Sequence, residues 1–417
     1  MRKNWVRTGL VCGIIVLFVG ASVVPISCAN KIDTVYVNND NTDYPWKGTK
    51  QDPYQHIQDG IDNVDENGTV YVYNGTYDEF IIIENPLKLI AWGEGKDNDK
   101  NGSIINGNFS GNVIEIKDTN NVTIDGFKIH NSSIGSKYAG INIYNTITCS
   151  VYNNNLSNNS NGIIISDSKI IHINDSIIYN NELNGIDIVS DNDDYLDITI
   201  KHNNIFSCKR DGILITNCNG VKIDDNKIYN CGQIHINPSE SYGNGIKIWG
   251  ISQSCNVAIQ NNIINETTSG ISVFGALTNV LIDNNDIFEC YHNGICIRFD
   301  AVVECYHNNI YNNGLSYNWG SGISMVSVKD ICIINNSIYN NWYNIYLNQT
   351  FYRGSNFRQN NIIAPNSTKQ FYAIASWIFV QHNYWGEVID LLPPFHDRIS
   401  VLAIIRLHPC SDHPWSW

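Results

Sequence analysis

Trp249, Phe274 and Arg298 occupy the same place in successive copies of one repeated phrase, and their chemistry is that of a sugar-binding strip. Flat aromatic faces suit the apolar faces of pyranose rings, and a guanidinium grips a carboxylate through two parallel hydrogen bonds. Tyr144 stands in the same row, so Tyr144, Trp249, Phe274 and Arg298 make up the candidate ligand-binding set. A neighbouring row carries Asp187 and Lys247. With Arg298 these are the candidate acid, base and charge-pairing groups if the same face cleaves or epimerises a polysaccharide. The acidic insertion Asp191, Asp193, Asp194 and the run Lys209, Arg210, Asp211 come within two or three copies of them.

Two further groupings have metal-ligand chemistry. Asp97, Asp99 and Asn101, followed by Gly102, alternate oxygen ligands like the first half of a calcium loop, but the twelfth position is Asn108 rather than Glu. Calcium is therefore the cofactor that this stretch raises. Near the C-terminus His408, Cys410 and His413 place soft ligands close together, in reach of copper or zinc.

What must position these residues is a repeat. The phrase apolar-x-apolar-x-x-Asn-x-apolar recurs, for instance as Val221-Lys-Ile223-Asp-Asp-Asn226-Lys-Ile228 and Val280-Leu-Ile282-Asp-Asn-Asn285-Asp-Ile287. Its Asn falls at Asn154, Asn203, Asn226, Asn262, Asn285, Asn308, Asn336, Asn360 and Asn383, with Ser176 once in its place. Most steps are 22 to 24 residues, and those of 27, 28 and 36 carry insertions. A second phrase, Gly-Ile-x-Ile, interleaves with it from Gly140 to Gly322, usually after Asn, Asp or Ser. Period-2 alternation marks short half-buried strands, and Asn-Gly or Ser-Gly pairs are expected to supply left-handed corners. A unit of ~22 residues cannot bury a core alone, so the units stack as a solenoid. The repeated Asn then forms a structural ladder, its buried amides bonded to one another or to corner backbone along the axis.

On these phrases the chain resembles the right-handed parallel β-helix family, the pectate-lyase-like solenoids, over roughly residues 34 to 386. The stretch from Asp52 to Val64 reads as an amphipathic capping helix with Asp52 as N-cap, Pro53 in the first turn and Ile57, Ile61 and Val64 on one face. Gly68 to Tyr77 resembles the family's first coil. The resemblance implies an all-β fold, a single-stranded right-handed parallel β-helix of about 22–24-residue coils, about ten or eleven of them, with an N-terminal capping helix. Members that cleave acidic polysaccharides use Asp around calcium with Arg or Lys as base, or paired carboxylates. The closely spaced Asp-Asp, Gly-His-Gly and Arg-x-Lys set of the hydrolytic members has no match here. Asn383-Tyr-Trp385-Gly386 resembles the closing turn of secreted archaeal surface proteins of this kind. The tail His408-Pro-Cys410 invites comparison with copper-maturation β-helix proteins, although only two Met argue against a thioether copper route.

Arg2, Lys3 and Arg7, an apolar run from Leu10 to Val24 and Ser27-Cys28-Ala29 read as a signal peptide over residues 1–29. Residues 30–110 then form the N-terminal cap and first coils, 111–386 the β-helix repeats, and 387–417 a capping segment with Val401–Ile405 as a strand. Contact with a membrane is expected only through the N-terminal segment, if uncleaved. Asn-x-Ser/Thr triplets at Asn67, Asn74, Asn121, Asn155, Asn265, Asn348 and Asn366 accord with export. A net charge of −14 and a pI near 5.1, with no basic stripe, exclude nucleic acid as a partner. Of twelve Cys, Cys208, Cys231 and Cys290 share one repeat position and are expected mostly as stacked free thiols, with Cys149 and Cys305 as core fillers. The expected function is a secreted or cell-surface protein that binds extended polysaccharide or envelope glycan along one face without catalysis. The alternatives are a polysaccharide lyase, hydrolase or epimerase, and a structural or copper-maturation-like component.

Overall fold

The computed structural model describes residues 32–93, 102–190, 195–232, 243–250, 255–275, 278–314, 320–328, 331–348, 356–363, 369–374, 377–381 and 404–407. The N-terminal apolar segment, the acidic insertion at 191–194, Asp97, Asp99, Asn101, Asn383, His408, Cys410 and His413 lie outside them. Three parallel sheets run along one axis. Sheet I has fifteen strands, from Ile32–Val37 to Ile404–Leu407, and contains the Val-x-Ile part of the repeat. Sheet II has twelve strands built on Gly-Ile-x-Ile, and sheet III has twelve short ones built on the residues after the ladder Asn. Each complete turn thus contributes one strand to every sheet, and sheet I has three strands more than either of the others. Turns before residue 149 lack the repeated Asn phrase, the last of them with Phe127 in the place of the Asn, so the coils exceed the number that the phrase marks.

The inward residues form one continuous apolar column. Ile141, Ile163, Ile186, Ile213, Ile246, Ile271, Ile295 and Ile323 are all fully buried in sheet II, each on its equivalent in the next coil. At the corner between sheets I and III the buried amides run in single file. Asn203 N donates to Asn226 Oδ1 at 2.9 Å, Asn226 N to Asn262 Oδ1, Asn262 N to Asn285 Oδ1, Asn285 N to Asn308 Oδ1 and Asn308 N to Asn336 Oδ1, each at 2.9 Å. Asn336 N continues to Asn360 Oδ1 at 2.9 Å. Each amide nitrogen also reaches backbone carbonyls, as Asn285 Nδ2 does at Ile259 O and Asp283 O. Ser176 accepts from Asn154 N at 3.2 Å and gives its hydroxyl to Asn174 O, and only its backbone N–H continues the ladder, to Asn203 Oδ1 at 3.0 Å.

A second ladder stands at the corner between sheets III and II. Asn159 N donates to Asn181 Oδ1 at 3.0 Å, Asn181 Nδ2 faces Cys208 Sγ, and Cys208 neighbours Cys231. Further on Thr267 Oγ1 meets Cys290 Sγ at 3.5 Å, Cys290 N donates to Asn313 Oδ1 at 2.9 Å, and Asn313 N to Asn341 Oδ1 at 2.9 Å. The cysteines here are rungs with free, buried thiols, as are Cys149 and Cys305 in the core.

Two local expectations are corrected. The glycines of Gly-Ile-x-Ile do not supply left-handed corners. They permit close approach, since a Cβ on Gly185 would lie 2.6 Å from both Gly212 O and Ile205 Cγ2. Left-handed backbone belongs instead to the residue before each ladder position, among them Asp175, His202, Asp225, Asn261, Asn284, His307 and Asn335, with φ between 52° and 59°. Short polar side chains tolerate that region best. The capping helix spans Ile57–Asn63, with His56 rather than Asp52 at its N-cap position and no side chain of its own capping it. Glu79, from the next coil, takes over: its carboxylate accepts from Ile57 N at 2.9 Å and Gln58 N at 3.1 Å. Asp52 is engaged elsewhere, by Asn41 and Lys47. The helix still covers the core end, burying Ile57, Gly60 and Ile61.

Replacing a full rung should cost more than replacing the partial one. Asn285→Ala strands the backbone N–H of Asn262 and removes the side-chain donor to Ile259 O and Asp283 O, and is expected to lose at least about 2 kcal/mol, against about 1 kcal/mol for Ser176→Ala. Guanidinium unfolding followed by far-UV circular dichroism measures both, and equal losses would contradict the ladder as a stabilising element.

Candidate functional site

The outer face of sheet II carries two columns, and the strand register fixes them. One runs Asn142, Ile164, Asp187, Leu214, Lys247, Ser272, Cys296, Ser324, each paired with the next. The other runs Tyr144, Ser166, Val189, Thr216, Trp249, Phe274, Arg298, Val326. Trp249, Phe274 and Arg298 therefore sit on adjacent strands. The Trp249 and Phe274 rings are 6.2 Å apart, and Phe299, at a left-handed corner, continues the run 6.2 Å beyond Phe274. Trp249 is 39% exposed and Phe299 61%, whereas Phe274 is buried between them. Lys247 Nζ lies 4.8 Å from the Trp249 ring centre and the Arg298 guanidinium 5.9 Å from that of Phe274. Both cations thus work against aromatic faces, a geometry worth more when desolvated.

Beyond Arg298 the face opens into a pocket of about 240 Å³, lined among others by Asn293, Ser324, Tyr343, Tyr346 and Asn348. Arg298 lines it too, and its Nε is buried with no hydrogen-bond partner among the described residues. Such a group has unmet capacity for an acceptor. Burial raises the pKa of the Cys296 thiol beside it, and the Arg298 guanidinium opposes the rise. Tyr346 extends the first column, since it pairs with Ser324. The repeat phrase did not reveal it because this coil reads Asn344-Ile345-Tyr346-Leu347, with Asn where Gly stands in the earlier copies.

Other candidates are dispersed. Tyr144 is exposed but four strands from Trp249, roughly 19 Å at the usual strand spacing. Asp187 and Lys247 flank Leu214 in one column, roughly 10 Å apart by the same spacing. Lys247, expected on the surface, is only 2% exposed. Burial lowers its pKa, with Asp211 opposing and Arg210 adding to the fall. Asp211 is itself a charged rung in a third polar column, before the Gly-Ile-x-Ile glycines. Its Oδ1 accepts from Gly243 N at 3.0 Å and from Asn244 N and Nδ2 at 2.7 Å, while Ser272 Oγ donates to Asn244 Oδ1 at 2.7 Å. Burial raises Asp211 and Lys247 counters it. Asp187 accepts from Asn184 Nδ2 at 3.0 Å, yet burial still pushes it up to about 6. Lys209 pairs with Glu182 outside this group. Among the described residues no group of three His, Cys, Asp or Glu is arranged to hold a metal ion, and no helix is long and apolar enough to cross a membrane.

No curated protein sequence matches the chain. Among solved structures it is similar to XylC in complex with xylose (11% identity, 84% of this chain and 86% of that one, TM-score 0.53). It is also similar to the GH136 lacto-N-biosidase of Eubacterium ramulus (12%, 84% and 67%, TM-score 0.52) and to the pectate lyase Pel9A (14%, 74% and 79%, TM-score 0.51). At these identities the likeness is one of fold. The sequence pattern described as a right handed beta helix region matches residues 96–253, 139–297 and 212–383, which together span most of the chain. The stacked parallel coils and this match agree, and the chain belongs to the right-handed parallel β-helix family.

Proposed function

We propose that this is a secreted or cell-surface protein that binds an extended polysaccharide along the outer face of sheet II, without turning it over. The observation that carries the reading is the aromatic run Trp249, Phe274, Phe299 with Arg298 over it, leading into a pocket flanked by Tyr343 and Tyr346. The exposed rings of Trp249 and Phe299, on either side of Phe274, offer stacking platforms to a chain of sugars lying parallel to the axis. The unmet Nε of Arg298 selects for a carboxylated or otherwise acceptor-rich unit at the pocket. Support also comes from the structural relatives, whose names place sugars on the same fold: a xylose complex, a lacto-N-biosidase and a pectate lyase. Binding without catalysis fits the separation of Asp187 from Lys247 and the burial of Lys247, which keep acid and base apart.

Affinity electrophoresis through gels containing neutral or uronate-rich polysaccharides tests this. Retention is expected, Trp249→Ala should weaken it at least about tenfold, equivalent to about 1.4 kcal/mol, and Arg298→Gln should weaken it only for uronate-rich gels. Absence of retention in every gel would leave a purely structural rod. Release of unsaturated or reducing sugars, abolished in Asp187→Asn, would establish the enzyme reading instead.

The site also predicts a pH dependence. Because folded Asp187 holds its proton up to about pH 6, above an unfolded carboxylate, its contribution to stability is full below the unfolded pKa and is lost as pH rises through about 6. Asp187→Asn should remove this decline, so its stability relative to the parent should rise between pH 4 and pH 7, by at most about 3 kcal/mol. Paired unfolding curves across that range measure the difference, and a flat difference would place Asp187 in solvent.

A further inference from the structure

Sheet III bears a column of outward side chains that no part of the polysaccharide face uses. Register aligns Tyr179, Phe206, Tyr229, Asn265, Phe288, Tyr311 and Tyr339 on successive strands. Their rings stack face to face: Tyr179 on Phe206 at 5.0 Å and 9°, Phe206 on Tyr229 at 4.9 Å and 4°, Phe288 on Tyr311 at 5.0 Å and 7°, Tyr311 on Tyr339 at 5.0 Å and 3°. Two triple stacks are thus separated by a single coil, and in that coil the side chain is Asn265. Among the described residues no ring covers the faces that Tyr229 and Phe288 turn toward the gap, roughly 10 Å apart at twice the strand spacing, which leaves room for one more ring at the same pitch. Asn265 is half-buried on the floor of this slot and opens the triplet Asn265-Glu266-Thr267. It is the one Asn in the column that begins such a triplet. Elsewhere the triplet asparagines are placed differently: Asn121, for example, spends its amide on Asn67 Oδ1 at 2.7 Å.

We infer that Asn265 is an N-glycosylation site whose first sugar ring fills the slot between Tyr229 and Phe288 and completes the aromatic column. A sugar linked to Asn265 Nδ2 begins three bonds beyond Cβ, level with the outer edge of the neighbouring rings, so its apolar faces meet the outer part of the two aromatic faces. The donor is a lipid-phosphate-linked oligosaccharide. The Asn265 nitrogen bonds to the anomeric carbon, the bond from that carbon to the phosphate oxygen breaks, the lipid phosphate leaves with the electron pair, and the amide gives up one proton. Thr267 is fully buried, bonded to Ser269 O at 3.0 Å and in contact with Cys290 of the following coil. Transfer therefore precedes closure of that coil, on the extended chain during export, and in this the inference rests on the secreted or surface location proposed above.

The test is peptide mass spectrometry with electron-transfer fragmentation on protein purified from its own cells, joined to melting curves of Asn265→Gln made both there and in a bacterial cytoplasm without glycosylation. Sugar on the Asn265 peptide, and a Tm loss of roughly 2 °C confined to the glycosylated preparation, are expected. Asn265 found bare while other triplets carry sugar overturns the slot alone. All triplets bare overturns the export on which it rests as well. An equal Tm loss in both preparations assigns the effect to the Asn amide and overturns the stacking.

Discussion

One buried amide per turn, handed from coil to coil at 2.9 Å, is the contact on which the rest of the molecule depends. A buried N–H or carbonyl without a partner costs about 1–3 kcal/mol. At this corner the partner of each Asn is the Asn of the next turn. The ladder therefore works only when coils align residue on residue. A slip of one residue would turn every inward isoleucine outward and leave a chain of amides unsatisfied at once. The left-handed residue before each rung, Asp225 or Asn284 for instance, turns the chain sharply enough for the amide to point along the axis.

The same alignment that stacks amides stacks everything else. Residues that are 23 or 36 positions apart in the chain become neighbours at one strand spacing, so columns of like side chains arise on all three faces. Three of these columns are structural: the Asn ladder, the mixed Asn, Thr and Cys ladder, and the polar column that contains Asp211. The outer columns are different, because nothing in the core demands their identity. The aromatic stacks of sheet III and the Trp249 run of sheet II show how a rod gains a long surface of chosen chemistry from substitutions at single repeat positions. The acidic rung Asp211, whose Oδ1 is engaged by Gly243 and Asn244, shows the cost of such freedom. A carboxylate enters an otherwise neutral column where several backbone and amide donors converge on it and a buried lysine lies near.

Much of this was legible in the residues. Period-2 alternation with a recurrent Asn and a recurrent Gly specifies parallel coils, their register and the order of both outward columns of sheet II, because strands that stack in register carry sequence spacing directly into space. Less legible were features made by contacts between coils. Glu79 caps a helix that begins 22 residues before it, in place of the Asp52 that local preference selects. The Gly-Ile-x-Ile glycines look like turn residues in sequence, but their role is set by the next coil's carbonyl, which no local pattern displays. Tyr346 lies in a coil without the marker glycine, and the row of Cys208, Cys231 and Cys290 is visible in sequence without Asn181, Thr267 and Asn313, which continue it with side chains of different type.

The sequence by itself determined a parallel solenoid, its repeat length and which side chains share a column. Those follow from periodicity and from the requirement that buried polar groups find partners. Only the tertiary structure decided which members of an outward column meet solvent. Lys247 and Trp249 are two residues apart on one strand, yet the first is enclosed and the second open, because exposure is set by what neighbouring coils bring over the sheet rather than by the alternation of the strand itself.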